Sequence, residues 1–252
     1  MRLLHAAPVA LLSILTLSAG ALGGCAYNEA LGRNQLLIVD EAAMLQSSNA
    51  AWQQAISTQK VSREAAEIAR LRRVGDRIVQ AAGLGGSWDY AVFEDGAPNA
   101  FVLPSRQIGV TRSLLRLVQN DDQLATVIGH EVAHVVARHA AERYSNSALA
   151  NVGVQVARGV AGDYASQAGT AAGVFAQYGA LLPFSRRDEL EADRLGVDYL
   201  QGAGYRPSEA VALWRIMAQQ RQSGVPEFAS THPSDTTRIQ ALEQYIASRG
   251  WA

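Results

Sequence analysis

Residues 120–144, NDDQLATVIGHEVAHVVARHAAERY, hold the pattern on which the reading of this chain turns. Asn120, Asp121 or Asp122 can cap a helix, and Leu124, Val127, Ile128 and Val135 give that helix an apolar side. With about 3.6 residues per turn, His130 and His134 project from one face, one turn apart, so both imidazoles can reach a single ion. Glu131 stands beside them, placed to take a proton from an activated water, which is the mechanical content of a His-Glu-x-x-His motif. Apolar neighbours flank Glu131 closely, and an ionised carboxylate there is costly without a cation or partner. His139 is nine residues beyond His130, roughly the opposite face of a continuing helix, and is read as no ligand.

A catalytic zinc ion takes three protein ligands and keeps one position open, so a third donor is required. SRRDELEADRLGVDYL, residues 185–200, supplies candidates in Glu189, Glu191 and Asp193. Glu189 and Asp193 are four apart and share a helical face. Glu189 can then reach the ion while Asp193 accepts a hydrogen bond from a ligand histidine and fixes its tautomer. Taken without the histidine motif, the same stretch reads as a solvated acidic face paired with Arg186, Arg187 and Arg194.

Outward from these two segments the pattern is mostly helical. Leu37 to Ile78 shows apolar residues at spacings of three and four. AGLGGSW (82–88) breaks it, and Trp88, Tyr90 and Val92 then alternate as in a strand. Two further short strands are predicted at about Asn99–Leu103 and Gln107–Val110, joined through Pro104-Ser105. From SLLRLV onward the chain is helical. Residues 147–184 are rich in Ala, Gly and Val, but Arg158 and Asp163 interrupt them, so closely packed small-residue helices are expected rather than a membrane hairpin.

The first 25 residues, MRLLHAAPVALLSILTLSAGALGGC, have a basic Arg2, a greasy middle and small residues before Cys25, the pattern of an export signal. Leu-Gly-Gly-Cys resembles a bacterial lipobox, which makes Cys25, the sole cysteine, the lipidation site. The expected organisation is a signal peptide over 1–24, a polar tether over 25–36 and one domain over 37–252. With one cysteine no internal disulfide can form, so stability must come from the core. Formal net charge is −1, from 22 basic and 23 acidic residues, which argues against nucleic-acid binding by bulk electrostatics.

GHEVAHVVARH, SRRDELEAD and THPSDTTRI occur in an order and at distances that resemble the HtpX-like and CAAX-prenyl-protease-like zinc metallopeptidases, most closely their soluble, lipid-anchored periplasmic members. The resemblance implies an α+β, mainly helical zincin fold with a small sheet beside the active helix. It implies one zinc ion held by His130, His134 and Glu189, selecting Glu189 over Glu191, with Glu131 as catalytic base and Asp193 behind the ligands. His232 is placed near the metal, where it either stabilises the tetrahedral intermediate or occupies the open zinc position. Asn99, Ala100 and Phe101 resemble the edge strand that lines the family's cleft and pairs with extended substrate. Arg238 matches a family position and is expected to make a structural ion pair. Where the family often has Gly-Gly after that strand, this chain has Ser105-Arg106, so the turn is expected to differ.

The implied function is peptide-bond hydrolysis in the cell envelope, with unfolded or misassembled envelope proteins as substrates. Ala26 after Cys25 suggests a lipid anchor in the outer membrane, facing the periplasm. The competing reading is a non-enzymatic lipoprotein, a chaperone or assembly factor that keeps zinc structurally. An intact Glu131 argues against it, because a structural site has no use for a base.

Overall fold

The computed structural model describes residues 24–157, 184–222, 232 and 236–251. The expected signal peptide, apart from Gly24, and most of the small-residue stretch 147–184 lie outside the described residues. An N-terminal hairpin, β1 (Cys25–Asn28) and β2 (Arg33–Leu36), is followed by α1 (Glu41–Thr58) and α2 (Ala65–Ala81). A three-stranded sheet comes next, β3 (Asp89–Phe93), β4 (Ala100–Leu103) and β5 (Gln107–Thr111). The remaining elements are helices: α3 (Arg112–Leu117), α4 (Asp121–Val136), α5 (His139–Ala157), α6 (Arg186–Gly202), α7 (Ser208–Gln222) and α8 (Thr236–Ser248). Among the described residues no helix is long and apolar enough to cross a membrane. The chain is α+β and mainly helical, as its sequence predicts.

α4 is the axle. Of the three candidate caps, Asn120 is the cap, its side chain accepting from Gln123 N at 2.8 Å, and Asp121 and Asp122 lie in the first turn. Every residue from Gln123 to His134 is buried, not merely the apolar side read from sequence, because α2, α6, α7 and β4 pack around it. Leu124, Val127, Ile128 and Val132 have no exposed surface. Full burial of each such side chain stabilises by about 1.5–3 kcal/mol.

α6 runs against α4 and meets it most closely where Gly129 faces Gly196. A Cβ built on Gly196 lies 3.1 Å from His130 N, and one on Gly129 lies 3.1 Å from Gly196 O. Glycine at both positions lets the two backbones meet, which brings the start of α6 to the histidines. That start is fixed by a capping box, in which Ser185 accepts from Asp188 N and Asp188 accepts from Ser185 N.

The sheet has order β3-β5-β4, with β3 parallel and β4 antiparallel to β5, so among the described residues no strand pairs with the outer edge of β4. The strands match their predicted positions within a residue or two. β3 does not simply alternate, since Ala91, Val92 and Phe93 are all buried. Val92 faces the main core, while Ala91 and Phe93 join Trp52 of α1 in a second cluster on the other side. In the turn after β4, Arg106 takes φ +71° and donates its N–H to Leu103 O at 2.9 Å. The turn therefore keeps a left-handed residue without glycine, at about 1–2 kcal/mol of strain.

Residues 25–36, expected as a tether, are folded onto the body. Asn28 Nδ2 donates to Val136 O and Gln35 Nε2 to Ala137 O, the carbonyls left over where α4 stops. The chain turns there through Arg138, at φ +54°, and α5 begins at His139.

Candidate metal centre

Helical spacing alone brings His130 and His134 together: their Nε2 atoms are 3.1 Å apart. α6 then delivers Glu189, whose carboxylate lies 3.4 Å from His130 Nε2 and 3.5 Å from His134 Nε2. His232 completes the group, with Nδ1 3.0 Å from Glu189 Oε1 and 3.2 Å from His130 Nε2. One donor atom from each of these four buried residues lies within 4.8 Å of the others. The three residues proposed as ligands thus converge, and His232 joins them. Glu131 is also buried, with Oε1 3.2 Å from His232 Nε2.

Behind the donors lies a polar frame. His130 Nδ1 faces Asp193 Oδ1 at 3.0 Å, which leaves Nε2 for an ion. Arg238 grips Asp193 through Nε and Nη2 at 2.8 and 2.7 Å, and reaches Glu189 Oε2 through Nη1 at 2.6 Å. This is the ion pair expected of Arg238, with both partners now named. The guanidinium sits 4.4 Å over the Trp214 ring, whose edge contact with His130 closes the inner wall. Phe184 stacks on His134 at 3.9 Å between centroids.

These surroundings set the protonation states. Burial pushes the Glu131 carboxyl above the ordinary carboxylate value. Burial also holds His134 well below the usual imidazole value, as a neutral donor. For Asp193, burial is outweighed by Arg238 and His130, which keep the carboxyl low. Burial likewise opposes ionised Glu189, yet His130, His134 and His232 hold its carboxyl far below the usual range. His130 is pushed up to about 9, its burial overcome by Asp193 and Glu189.

Among the described residues, the carboxyl groups of Glu131, Glu189 and Asp193 share this buried centre, with the Arg238 guanidinium against Glu189 and Asp193. Two imidazoles with a carboxylate form the donor set of a hydrolytic zinc site. The residues fit the ion.

A cleft of about 450 Å³ opens beside the donors, lined by Glu131, His134, Phe184 and His232 on one side and by Asn99 to Pro104 on the other. Met44 and Leu45 of α1 also line it. Asn99, Ala100 and Phe101 thus line this cleft. Phe101 packs against Trp52 and Phe93, and Asn99 Oδ1 accepts from Ala100 N at 2.9 Å.

The model of peptidase family M48 matches residues 65–246. The chain belongs to peptidase family M48. That span contains His130, His134, Glu189 and Arg238, and metallopeptidases of this family use zinc. The mitochondrial metalloendopeptidase OMA1 of Schizosaccharomyces pombe is 37% identical over 177 residues, 69% of this chain and 51% of its own length. OMA1 of Saccharomyces cerevisiae is 35% identical over 170 residues, 64% of this chain and 48% of its own. The β-barrel assembly-enhancing protease of Escherichia coli K12 is 31% identical over 153 residues, 56% of this chain and 31% of its own. This M48 chain spans about half or less of the length of these relatives.

Some of the site was hidden from the sequence. His139 contacts His134 at 2.9 Å between Nδ1 atoms, although helical periodicity from His130 puts it on roughly the opposite face. It remains outside the set of four converging donors. The helix it was projected along stops at Arg138, a non-glycine residue that gives no breaker signal. Glu191, set aside as a ligand, pairs instead with Arg33 and His139.

Proposed function

We propose that this chain is a zinc-dependent endopeptidase of the cell envelope that removes unfolded or misassembled proteins. The observation that carries the proposal is the convergence of His130, His134 and Glu189, with Glu131 beside them, at a cleft lined by the edge strand β4. His130, His134 and Glu189 hold the ion. Bound there, zinc supplies Lewis acidity, which polarises a carbonyl and brings the pKa of water toward about 7.

The remaining work belongs to side chains. Glu131 accepts a proton from the attacking water and passes it to the departing amine nitrogen, and burial raises its basicity for that task. Asp193 and Arg238 keep His130 and Glu189 oriented through both transfers. The edge of β4 pairs with an extended substrate through backbone hydrogen bonds, which suits a protease indifferent to most side chains. Asn99, Ala100 and Phe101 line that contact, and the apolar cleft favours chains whose hydrophobic residues are exposed.

Envelope placement rests on the leader and on Cys25, which is exposed at the start of β1. Lipidation there anchors the domain to the outer membrane at the periplasmic face. The similarity to the E. coli β-barrel assembly-enhancing protease supports that reading.

For His232, the geometry favours latency over catalysis. Its Nδ1 lies among the ligand atoms and its Nε2 faces Glu131, so one ring blocks both the fourth donor position and the base. Departure of His232 then opens the enzyme.

The test is digestion of a denatured outer-membrane protein by the zinc-loaded mature chain and its Glu131→Gln variant. Cleavage by the parent, lost in the variant with zinc retained, supports the proposal. Equal cleavage by both, or none by either with His232 also replaced by Ala, contradicts it and returns the scaffold reading.

A further inference from the structure

A second, partly buried polar network adjoins the metal centre and is used by none of the steps above. His139, with no exposed surface, is its pivot. Nδ1 lies 2.9 Å from His134 Nδ1, and Nε2 lies 3.0 Å from Glu191 Oε2. Glu191 in turn receives Arg33 Nε on Oε1 at 2.7 Å and Arg33 Nη2 on Oε2 at 2.8 Å. The opposite edge of the same guanidinium donates to both oxygens of Glu142 at 2.8 Å, and Nη1 also reaches Asn34 O at 3.3 Å. All five N–H donors of Arg33 are thereby placed. Gln35 Nε2 holds Glu142 Oε2 at 2.7 Å, so the hairpin contributes two adjacent contacts to the frame.

Proton counting gives this chain of contacts one direction. His134 turns Nε2 toward His130 and Glu189, so a neutral His134 that binds an ion carries its proton on Nδ1. That N–H has one described partner, His139 Nδ1, which must accept. The proton of His139 is then on Nε2, where it donates to Glu191, and the bidentate grip of Arg33 keeps Glu191 an acceptor. Reversing either tautomer sets two N–H groups, or two lone pairs, face to face inside the protein.

We infer that His139 and Glu191, keyed by Arg33 of the N-terminal hairpin, form a positioning relay that fixes the tautomer and ring orientation of His134. The relay mirrors Asp193 and Arg238 behind His130: each ligand imidazole is backed by an acceptor, and each acceptor system ends on an arginine. The two differ in origin. Arg238 comes from the C-terminal helix, whereas Arg33 lies eight residues beyond Cys25, so the segment next to the membrane anchor position helps shape the metal site. The inference rests on the zinc reading above.

The test measures zinc affinity of the full mature chain by competition with a chromophoric chelator, for the parent and for His139→Leu, His139→Asn and Arg33→Met. His139→Leu is expected to weaken zinc binding about ten- to a hundredfold. His139→Asn, whose amide oxygen can accept where Nδ1 does, should recover most of that loss, and Arg33→Met should weaken binding to a smaller degree. A rescue by asparagine is not the signature of a role in packing alone. Nitrogen-15 NMR of the imidazoles in the zinc-loaded parent, which needs no variant, should show His134 protonated at Nδ1 and His139 at Nε2. Parent-like affinity in a folded His139→Leu protein, or a proton on Nδ1 of His139, overturns the relay while leaving the zinc site intact. A parent that takes up no zinc overturns the zinc reading itself.

Discussion

Replacing Gly196 by alanine tests whether the glycine seam between α4 and α6 builds the site. The new methyl lies 3.1 Å from His130 N, 3.2 Å from Gly129 C and 3.3 Å from His130 Cα, all of them backbone or backbone-bound atoms that cannot swing aside. α6 must therefore move off α4 by a few tenths of an ångström. Overpacking of this kind costs about 1–3 kcal/mol. Alanine in a helix interior returns about 1 kcal/mol relative to glycine. The net loss is up to about 2 kcal/mol, which for a domain of this size lowers Tm by up to about 8 °C. Because Asp193 and Glu189 lie one and two turns before Gly196, the same displacement draws them away from His130, so zinc affinity falls together with Tm. Thermal melts of the zinc-free chain and chelator competition on the same preparations read both effects. A variant that melts higher than the parent, with zinc affinity unchanged, refutes the seam argument, since only the helix-propensity gain would then be felt.

Four further outcomes are expected. Glu131→Gln should abolish proteolysis while leaving zinc content at one ion per chain, checked by activity and elemental analysis. His232→Ala should raise proteolytic rate if the ring blocks the site as placed, and a large fall in a zinc-loaded variant would return His232 to a catalytic role. Chelation should inactivate the enzyme and lower its Tm, with recovery on adding zinc, because an ion that binds only the folded state stabilises it by mass action. In the zinc-free chain, burial disfavours ionised Glu191, but His139 and Arg33 overcome it and bring the carboxyl down from 4.5 to about 2. A depressed folded value means stability present above about 4.5 and lost as pH falls toward 2. Glu191→Gln should therefore flatten that part of an acid-unfolding profile.

What the sequence disclosed, and what it did not, follows the range of the contacts. His130, Glu131 and His134 were legible because four residues of one helix fix their geometry whatever surrounds them. Spacing put Glu189 and Asp193 on one helical face, but the choice of Glu189 over Glu191 came from the family resemblance; the short strands were found because alternation and turn residues are local signals. The grip of Arg238 on Asp193 and Glu189 joins α8 to α6, and no spacing encodes a contact between elements so far apart. His139 was misplaced because extending a helix past Arg138 carries each later residue to the wrong azimuth, and only the left-handed turn at Arg138 brings it back to His134. The hairpin over residues 25–36 was unreadable for a related reason: a short polar segment has no periodicity, and here Asn28, Arg33 and Gln35 hold it by tertiary hydrogen bonds.

An anomalous-difference map recorded on either side of the zinc absorption edge, from crystals of the chain purified without chelator, tests the central claim most directly. One peak is predicted, bonded to His130 Nε2, His134 Nε2 and a Glu189 carboxylate oxygen. A chain without that peak, or with its only zinc elsewhere, contradicts the account.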